Sequence, residues 1–314
     1  MLVTPLPELG LVAANGPNDP DPELVVENGV VVRMDGRAAD EFDVIDRFLV
    51  AHGLDLEIAA EAMALPDIEI ARMLVDVDVA RSEVVRLARG LTPAKLARVA
   101  GLLDPVELMF ALKKLRARRT PANQAHVTNL KESPALLAAD AAEASARGFA
   151  ELETTVGVAR YAPLNAISLL VGSQTGRPGV MTQCAVEERR NLELAINGLV
   201  TYAETLSVYG TEQVFVDGDD TPWSKSFLGA AYASRGVKVR FTSGTGSEAL
   251  MGHSQGMSML YLEARCISVV RAAGSQGVQN GSISCVALVL SLPGGTRAIL
   301  AENVIAAWLD LEVM

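Results

Sequence analysis

The sequence has few aromatic residues, cysteines and histidines. Only 4% of the 314 residues are aromatic, and there are three Cys and three His. The cysteines, Cys184, Cys266 and Cys285, contain no C-x-x-C pair. This pattern argues against a disulfide framework and favours a reducing compartment. Because aromatic residues are scarce, the core must be filled with Ala, Val, Leu, Ile and Met.

The sequence also lacks an excess of positive charge and a long hydrophobic run. It has 27 Lys and Arg against 38 Asp and Glu, a net charge of −11, which makes nucleic acid a poor partner. The most apolar run, residues 283–292, is interrupted by Ser284 and Ser291 and is followed by Pro293. It is therefore too short for the roughly 18 apolar residues of a membrane span. With no basic leader at the N-terminus, we expect a cytoplasmic protein without a membrane anchor.

Residues 1–119 are expected to form an N-terminal arm, a hairpin and a helical region. Prolines interrupt the first 20 or so residues, and Asn28-Gly29 predicts a type I′ turn within residues 24–32. Helices are predicted from about residue 40 to 119. Their clearest start is Asp104-Pro105 with a capping-box glutamate, and Thr92-Pro93 and Ser133-Pro134 are similar.

Residues 120–314 are expected to form an incomplete (β/α) barrel domain. Short β-branched or apolar runs alternate with helical patterns, which is typical of parallel α/β proteins. Because parallel sheets are covered on both faces, we expect strands that are apolar throughout. Strands are predicted near residues 124–127, 153–158, 202–209, 237–242, 278–284 and 309–313, and helices over residues 186–199, 224–233, 248–265 and 297–306.

Three local motifs suggest activities that their surroundings do not favour. Residues 252–256 match G-x-S-x-G, but the pattern places them inside a helix rather than at a strand-to-helix turn. Residues 244–246 resemble the start of a dinucleotide loop without its third glycine. Residues 217–220 lack the later glutamate of a calcium loop, so a turn before a helix start at Thr221-Pro222 is favoured.

Polar residues within the predicted apolar strands are more informative. Buried carboxylates and carboxamides are costly unless they are paired. Their hard oxygen donors suit a Ca²⁺- or K⁺-like ion better than zinc, and barrel sites gather at the carboxyl ends of strands. Separately satisfied polar residues, and a histidine that only bonds within the core, remain the alternative. The residues are Gln124, His126, Glu153, Glu204 and Gln279.

At these positions the chain resembles the large subunit of adenosylcobalamin-dependent diol and glycerol dehydratases. The resemblance runs from about Gly16 to the last residue. The segments that carry it are residues 116–129 (RARRTPANQAHVTN), 153–163 (ETTVGVARYAP), 202–210 (YAETLSVYG), 217–225 (DGDDTPWSK), 240–248 (RFTSGTGSE) and 279–285 (QNGSISC).

The resemblance implies a TIM-type (β/α)₈ barrel, with medium and small subunits completing the enzyme. An adenosyl radical would abstract hydrogen from 1,2-propanediol or glycerol, the hydroxyl would migrate, and loss of water would leave an aldehyde. Gln124, Glu153, Glu204 and Gln279 are implied as ligands of an inner metal ion, with His126 stabilising the migrating hydroxyl and Glu153 also bonding the substrate. The implied adenosyl contacts are Ser207, Gly244 and Ser284, and the implied cobalamin contacts are Thr155, Glu188, Thr205 and Asp217.

The family's chains continue well beyond the position that matches Met314. The continuation would supply the remaining strands, a catalytic aspartate and a further metal ligand. We therefore expect a truncated chain, a split subunit completed by a complementary C-terminal chain, or a non-catalytic remnant that keeps subunit contacts only. A half-barrel alone is expected to be insoluble or inactive. A bacterial microcompartment is an alternative to free cytoplasm.

Overall fold

The structure is a computed structural model. It describes residues 18–115, 124–128, 133–148, 151–156, 182–186, 205–210, 221–234, 238–244, 256–275, 281–284 and 295–313, together with a few isolated positions in residues 164–175 and at residue 215.

The described part opens with a small antiparallel sheet of β1 (Leu24–Glu27), β2 (Val30–Met34) and β3 (Arg37–Ala38). Asn28 and Gly29 between the first two strands have φ angles of 52° and 79°. Both values lie in the left-handed region that a type I′ turn requires at its two central residues. The predicted hairpin and its turn are therefore confirmed.

Six helices follow, within the range predicted to be helical. The capping box at Asp104 is confirmed, since its Oδ1 accepts from the backbone N–H groups of Val106 and Glu107, each at 2.8 Å. The Glu107 side chain accepts in turn from the Asp104 N–H at 2.9 Å. The helices are α1 (Val44–His52), α2 (Leu56–Ala64), α3 (Asp67–Val75), α4 (Arg81–Ala88), α5 (Pro93–Leu102) and α6 (Pro105–Leu115).

The rest of the described chain is α/β, built on a parallel sheet of seven strands in sequence order. Its strands are β4 (Gln124–Thr128), β5 (Glu151–Val156), β6 (Thr182–Val186), β7 (Thr205–Gly210), β8 (Lys238–Gly244), β9 (Gly281–Ser284) and β10 (Glu312–Val313). The accompanying helices are α7 (Pro134–Ala146), α8 (Pro222–Ala233), α9 (Met259–Ser275) and α10 (Gly295–Trp308).

Each of the six predicted strands overlaps a strand of the sheet within the described residues, although the last is reduced to Glu312–Val313 because Leu309 and Asp310 form a turn after α10. Two other predictions are wrong. β6 was not predicted, and its last residue, Val186, was assigned to a helix. The helix predicted over residues 248–265 does not pass through Gly256, which lies in a turn with a φ of 80°. The side-chain oxygen of Ser258 accepts from the Tyr261 N–H, and α9 begins at Met259.

The ends of the first five strands of the large sheet are staggered. Thr128, the last residue of β4, is in register with Thr155, Ala185, Ser207 and Arg240 in turn. Arg240 is only the third residue of β8, which runs four residues further to Gly244. Four steps across the sheet thus shift the strand end by four residues, or one residue per strand.

The helices form a layer on the sheet, and the N-terminal helices pack on that layer. α8, α9 and α10 contact neighbouring strands, and α9 contacts both α8 and α10. α5 contacts α9 and α10, and α6 contacts α10. Trp308 of α10 is fully buried and donates its indole N–H to the Val84 carbonyl at 2.6 Å. One hydrophobic core therefore includes residues from α2–α6 and from α9 and α10. No helix in the part of the chain that the structure describes is long and apolar enough to cross a membrane.

Candidate active site

The register of the large sheet divides its residues into two sets of opposite polarity. Successive residues of a strand belong to opposite faces, so positions paired across neighbouring strands share a face. One set, the apolar face, includes the fully buried Phe241. Its members are Ala125, Val127, Leu152, Thr154, Val156, Thr182, Cys184, Val186, Leu206, Val208, Gly210, Val239, Phe241, Ser243, Gly281, Ile283 and Val313.

The other set, the polar face, carries hydrogen-bonding or charged residues at nearly every position. Its members are Gln124, His126, Thr128, Glu151, Glu153, Thr155, Gln183, Ala185, Thr205, Ser207, Tyr209, Lys238, Arg240, Thr242, Gly244, Ser282, Ser284 and Glu312. The expectation of strands that are apolar throughout is therefore wrong. The strands alternate, and only one face has the composition of a covered surface.

Every sequence-predicted site residue within the described strands belongs to the polar face. These residues come from five strands and share no local sequence motif, so their common face follows from the fold. They are Gln124, His126, Glu153, Thr155, Thr205, Ser207, Gly244 and Ser284. Glu188, Glu204, Asp217 and Gln279 lie outside the described residues.

Two of the predicted residues are direct neighbours on adjacent strands. His126 of β4 is paired with Glu153 of β5. The same register position continues through Gln183 of β6 to Thr205 of β7. Paired positions on neighbouring strands are about 4.8 Å apart, so the backbone brings these four residue positions close together in one row of the sheet.

A second pair lies at the carboxyl ends of the strands. Gly244 and Ser284, the last residues of β8 and β9, are in register with each other. Functional residues of parallel α/β enzymes gather at this edge of the sheet. Gly244 and Ser284 therefore lie at the edge of the sheet where such residues gather.

Sequence reasoning missed Gln183, because it missed the strand that carries it. The signal was present: Arg177-Pro178-Gly179 is a turn pattern, and an apolar run follows it to Val186. The two glutamates that follow Val186 are typical of the first turn of a helix, so the sequence predicts a helix from residue 186 instead. Without a predicted strand over this run, Gln183 does not stand out among the polar residues of the predicted strands.

A buried cluster of charged side chains connects α9 and β3 with the start of α1. Arg265 of α9 is 1% exposed, and its Nη2 lies 2.6 Å from Asp43 Oδ2 and 3.0 Å from Asp46 Oδ1. Arg37 Nη1 bonds the same two carboxylates at 3.0 and 2.7 Å. Burial acts to raise the pKa of Asp43, but Arg265 and the Asp46 N–H outweigh it and hold that pKa below its usual value.

Beside this cluster lies a carboxyl group with a strongly perturbed pKa. Asp35, in the turn between β2 and β3, is 3% exposed, and its Oδ2 accepts from the Ala94 N–H at the start of α5 at 3.0 Å. Burial raises the pKa of Asp35 to about 7, although hydrogen bonds from Thr92 and Ala94 act to lower it. Burial likewise raises the pKa of Tyr261. Asp35 lies in a turn of the small sheet and Tyr261 in α9, and neither is on the polar face of the large sheet.

The polar face has the donor chemistry that an inner metal ion would need. Gln124 and Glu153 occupy the same face of adjacent strands and offer hard oxygen ligands, which suit Ca²⁺ or K⁺. Among the residues whose side chains the structure describes, no three His, Cys, Asp or Glu residues form a metal-binding group. The donor set on the polar face therefore fits the expected ion without establishing a complete site.

Comparison with known proteins identifies relatives of the whole chain. All of residues 1–314 match the family described as dehydratase large subunit. The glycerol dehydratase large subunit of Citrobacter freundii is 59% identical over 312 residues, which is 99% of this chain and 56% of that protein. The chain thus spans about half the length of this relative.

Solved structures show only a weak overall likeness. A mandelate racemase/muconate lactonizing enzyme from Roseiflexus sp. is 15% identical, with a TM-score of 0.39, over 80% of this chain and 73% of its own. A dipeptide epimerase from Enterococcus faecalis is 12% identical, with a TM-score of 0.40, over 74% of this chain and 70% of its own. Scores of this size support no argument about the fold or the reaction. The family match over the full length and the 59% identity show that the chain belongs to the dehydratase large-subunit family.

Proposed function

We propose that this chain supplies the first part of the active-site barrel of an adenosylcobalamin-dependent dehydratase. The substrate would be 1,2-propanediol or glycerol, and the product an aldehyde formed by a 1,2-shift of a hydroxyl group and loss of water. The observation that carries the proposal is the gathering of all eight described candidate residues on the one polar face of a parallel sheet.

The stagger of the strands supports a barrel. Closing a sheet of parallel strands requires a fixed shift in register, which in an eight-stranded TIM-type barrel amounts to about one residue per strand. From β4 to β8 the strand ends advance at this rate on average, in steps of one, none, two and one residue, and β8 and β9 end level. We therefore propose that β4–β10 are seven consecutive strands of a TIM-type (β/α)₈ barrel, with the polar face inside and the helices outside.

Two bound groups belong to this proposal. Adenosylcobalamin, when bound, supplies the radical that starts the reaction. A Ca²⁺- or K⁺-like ion supplies positive charge that holds the hydroxyl groups of the substrate. The residues that would hold the ion are Gln124, Glu153, Glu204 and Gln279, and those on the cofactor side are Thr155, Glu188, Thr205, Ser207, Asp217, Gly244 and Ser284.

His126 and Glu153 have the central roles in handling the substrate. Their register pairing, which makes the two residues neighbours on the polar face, supports these roles. Glu153 would accept a hydrogen bond from a substrate hydroxyl and fix its position. His126 would donate a hydrogen bond to the migrating hydroxyl and so stabilise the charge that develops on it. Neither role needs a strong base.

The proposed partners follow from the family. Because the chain belongs to a family of large subunits, we propose that medium and small subunits, together with a complementary C-terminal chain, complete the enzyme. We also propose a boundary near residues 119 and 120 between the N-terminal region and the barrel. The core shared by α2–α6, α9 and α10 would hold the two parts together.

Reconstitution tests the proposal. The chain is co-expressed with medium and small subunits and with the complementary C-terminal chain, and then supplied with adenosylcobalamin and either diol. We expect propionaldehyde from 1,2-propanediol or 3-hydroxypropionaldehyde from glycerol. An assembly that forms but gives no aldehyde from either diol would favour a non-catalytic remnant that keeps subunit contacts only.

A further inference from the structure

Gln183 occupies an unusual place on the polar face. It is paired with Glu153 on one side and with Thr205 on the other. In this row of the sheet it therefore separates a residue proposed to bind the metal and the substrate from a residue proposed to contact cobalamin. No role follows for Gln183 from the motifs that carry the family resemblance.

The chemistry of this position is specific. A carboxamide has an NH₂ group that can donate to a carboxylate and an oxygen that can accept from a hydroxyl. With neighbouring strands about 4.8 Å apart, residues at paired positions are within reach of such bonds. Along the row, the carboxamide of Gln183 comes between a carboxylate residue, Glu153, and a hydroxyl residue, Thr205. A carboxamide is the group that suits both of these neighbours.

The other polar-face position of β6 makes the contrast clear. Ala185 lies between Thr155 and Ser207, both proposed to contact the cofactor, and it contributes only a methyl group. Within the described part of β6, Gln183 is thus the residue of the polar face that carries hydrogen-bonding groups. A polar residue in the middle of a parallel sheet is costly unless it is paired.

We propose that Gln183, the register neighbour of Glu153 on the polar face, is a positioning residue for the metal and substrate site. The inference rests on the proposed function and deepens it. Residues that orient metal ligands typically affect metal affinity or activity by about 10- to 100-fold. Gln183 acts through Glu153 and is not itself a ligand.

The test compares Gln183→Met, which keeps the length of the side chain without its amide, with Gln183→Asn and with the control Cys184→Ala. Cys184 is the next residue and lies on the apolar face. Two quantities are measured on the assembled protein: Ca²⁺ affinity by calorimetry after chelator treatment and without cobalamin, and kcat and KM for diol turnover with cobalamin.

We expect Gln183→Met to weaken Ca²⁺ binding and to lower kcat, each by about 10- to 100-fold, with Gln183→Asn between it and the unsubstituted protein. Cys184→Ala should lower the melting temperature and leave both quantities within about twofold. Unchanged Ca²⁺ affinity and kcat in Gln183→Met would overturn the inference. If Gln183→Met does not assemble, the same two quantities are measured on Gln183→Asn, and unchanged values in that variant would overturn the inference instead. An unsubstituted assembly with neither Ca²⁺ binding nor turnover would overturn the proposed function itself.

Discussion

The buried Asp35 gives the chain a component of stability that depends on pH. Its carboxyl group is 3% exposed and lies among Thr92, the start of α5 and the Arg265 cluster. Replacement by Asn removes the titrating group and keeps an oxygen for the Ala94 N–H. Asn also tolerates the φ of 47° at this position.

The sign and size of the effect follow from the pKa. The pKa of Asp35 is about 7 in the folded state against an ordinary 3.8. Between these two pH values the folded state binds a proton that the unfolded state has released, so the free energy of unfolding falls as the pH rises. A difference of about three pKa units corresponds to about 4 kcal/mol. This loss is complete slightly above pH 7 and absent below about pH 4.

Urea unfolding, followed by tryptophan fluorescence at several pH values between 4 and 8, measures the effect. The free energy of unfolding of Asp35→Asn should rise relative to that of the unsubstituted protein by about 4 kcal/mol between pH 4 and pH 8. Asp78→Asn, at an exposed position, is the control and should show little change. A difference between Asp35→Asn and the unsubstituted protein that stays constant with pH would refute the buried placement of Asp35.

Two further substitutions test the contacts of the helical layer. Arg265→Met leaves the buried Asp46 carboxylate without its partner on α9 and should lower the free energy of unfolding by about 3–5 kcal/mol, and Ser268→Ala on the same helix should cost far less. Stability equal to that of the unsubstituted protein would show that the ion cluster contributes nothing. Trp308→Phe leaves the Val84 carbonyl without its indole donor and should cost about 1–3 kcal/mol in the same assay, and a neutral result would contradict that hydrogen bond.

Local signals in the sequence predicted much of the secondary structure. The turn at Asn28-Gly29 and the capping box at Asp104 depend on neighbouring residues only, and both are confirmed. The helix start at Thr221-Pro222 is confirmed in the same way, because Thr221 Oγ1 accepts from the Ser224 N–H at 3.0 Å. Such features need no knowledge of the rest of the chain.

Features that depend on distant residues could not be predicted in this way. The polar face is invisible until strand register is known, because a shift of one residue exchanges the two faces of a strand. The burial of Asp35 depends on α5, about 60 residues later in the chain, and the Arg265 cluster joins residues more than 200 positions apart. Gln183 was missed because its strand was not predicted, although a local signal for that strand is present, and its place beside Glu153 follows only from the pairing of the two strands.

The candidate site was predicted by resemblance, and its common face adds an independent physical observation. The motifs named residues in several separate segments of the chain. The fold places the eight that it describes on one face, which neither motif matching nor composition required. Their individual roles remain predictions.

The central claim is that the polar face of the sheet is the catalytic face, and two adjacent substitutions test it most directly. His126→Ala changes the polar face, and Val127→Ala changes the apolar face at the next position of the same strand. In the reconstituted enzyme, kcat/KM for aldehyde formation should fall by about 10²- to 10⁴-fold for His126→Ala. It should change little for Val127→Ala in protein that remains folded. Equal losses in the two variants, or a larger loss for Val127→Ala, would contradict the claim.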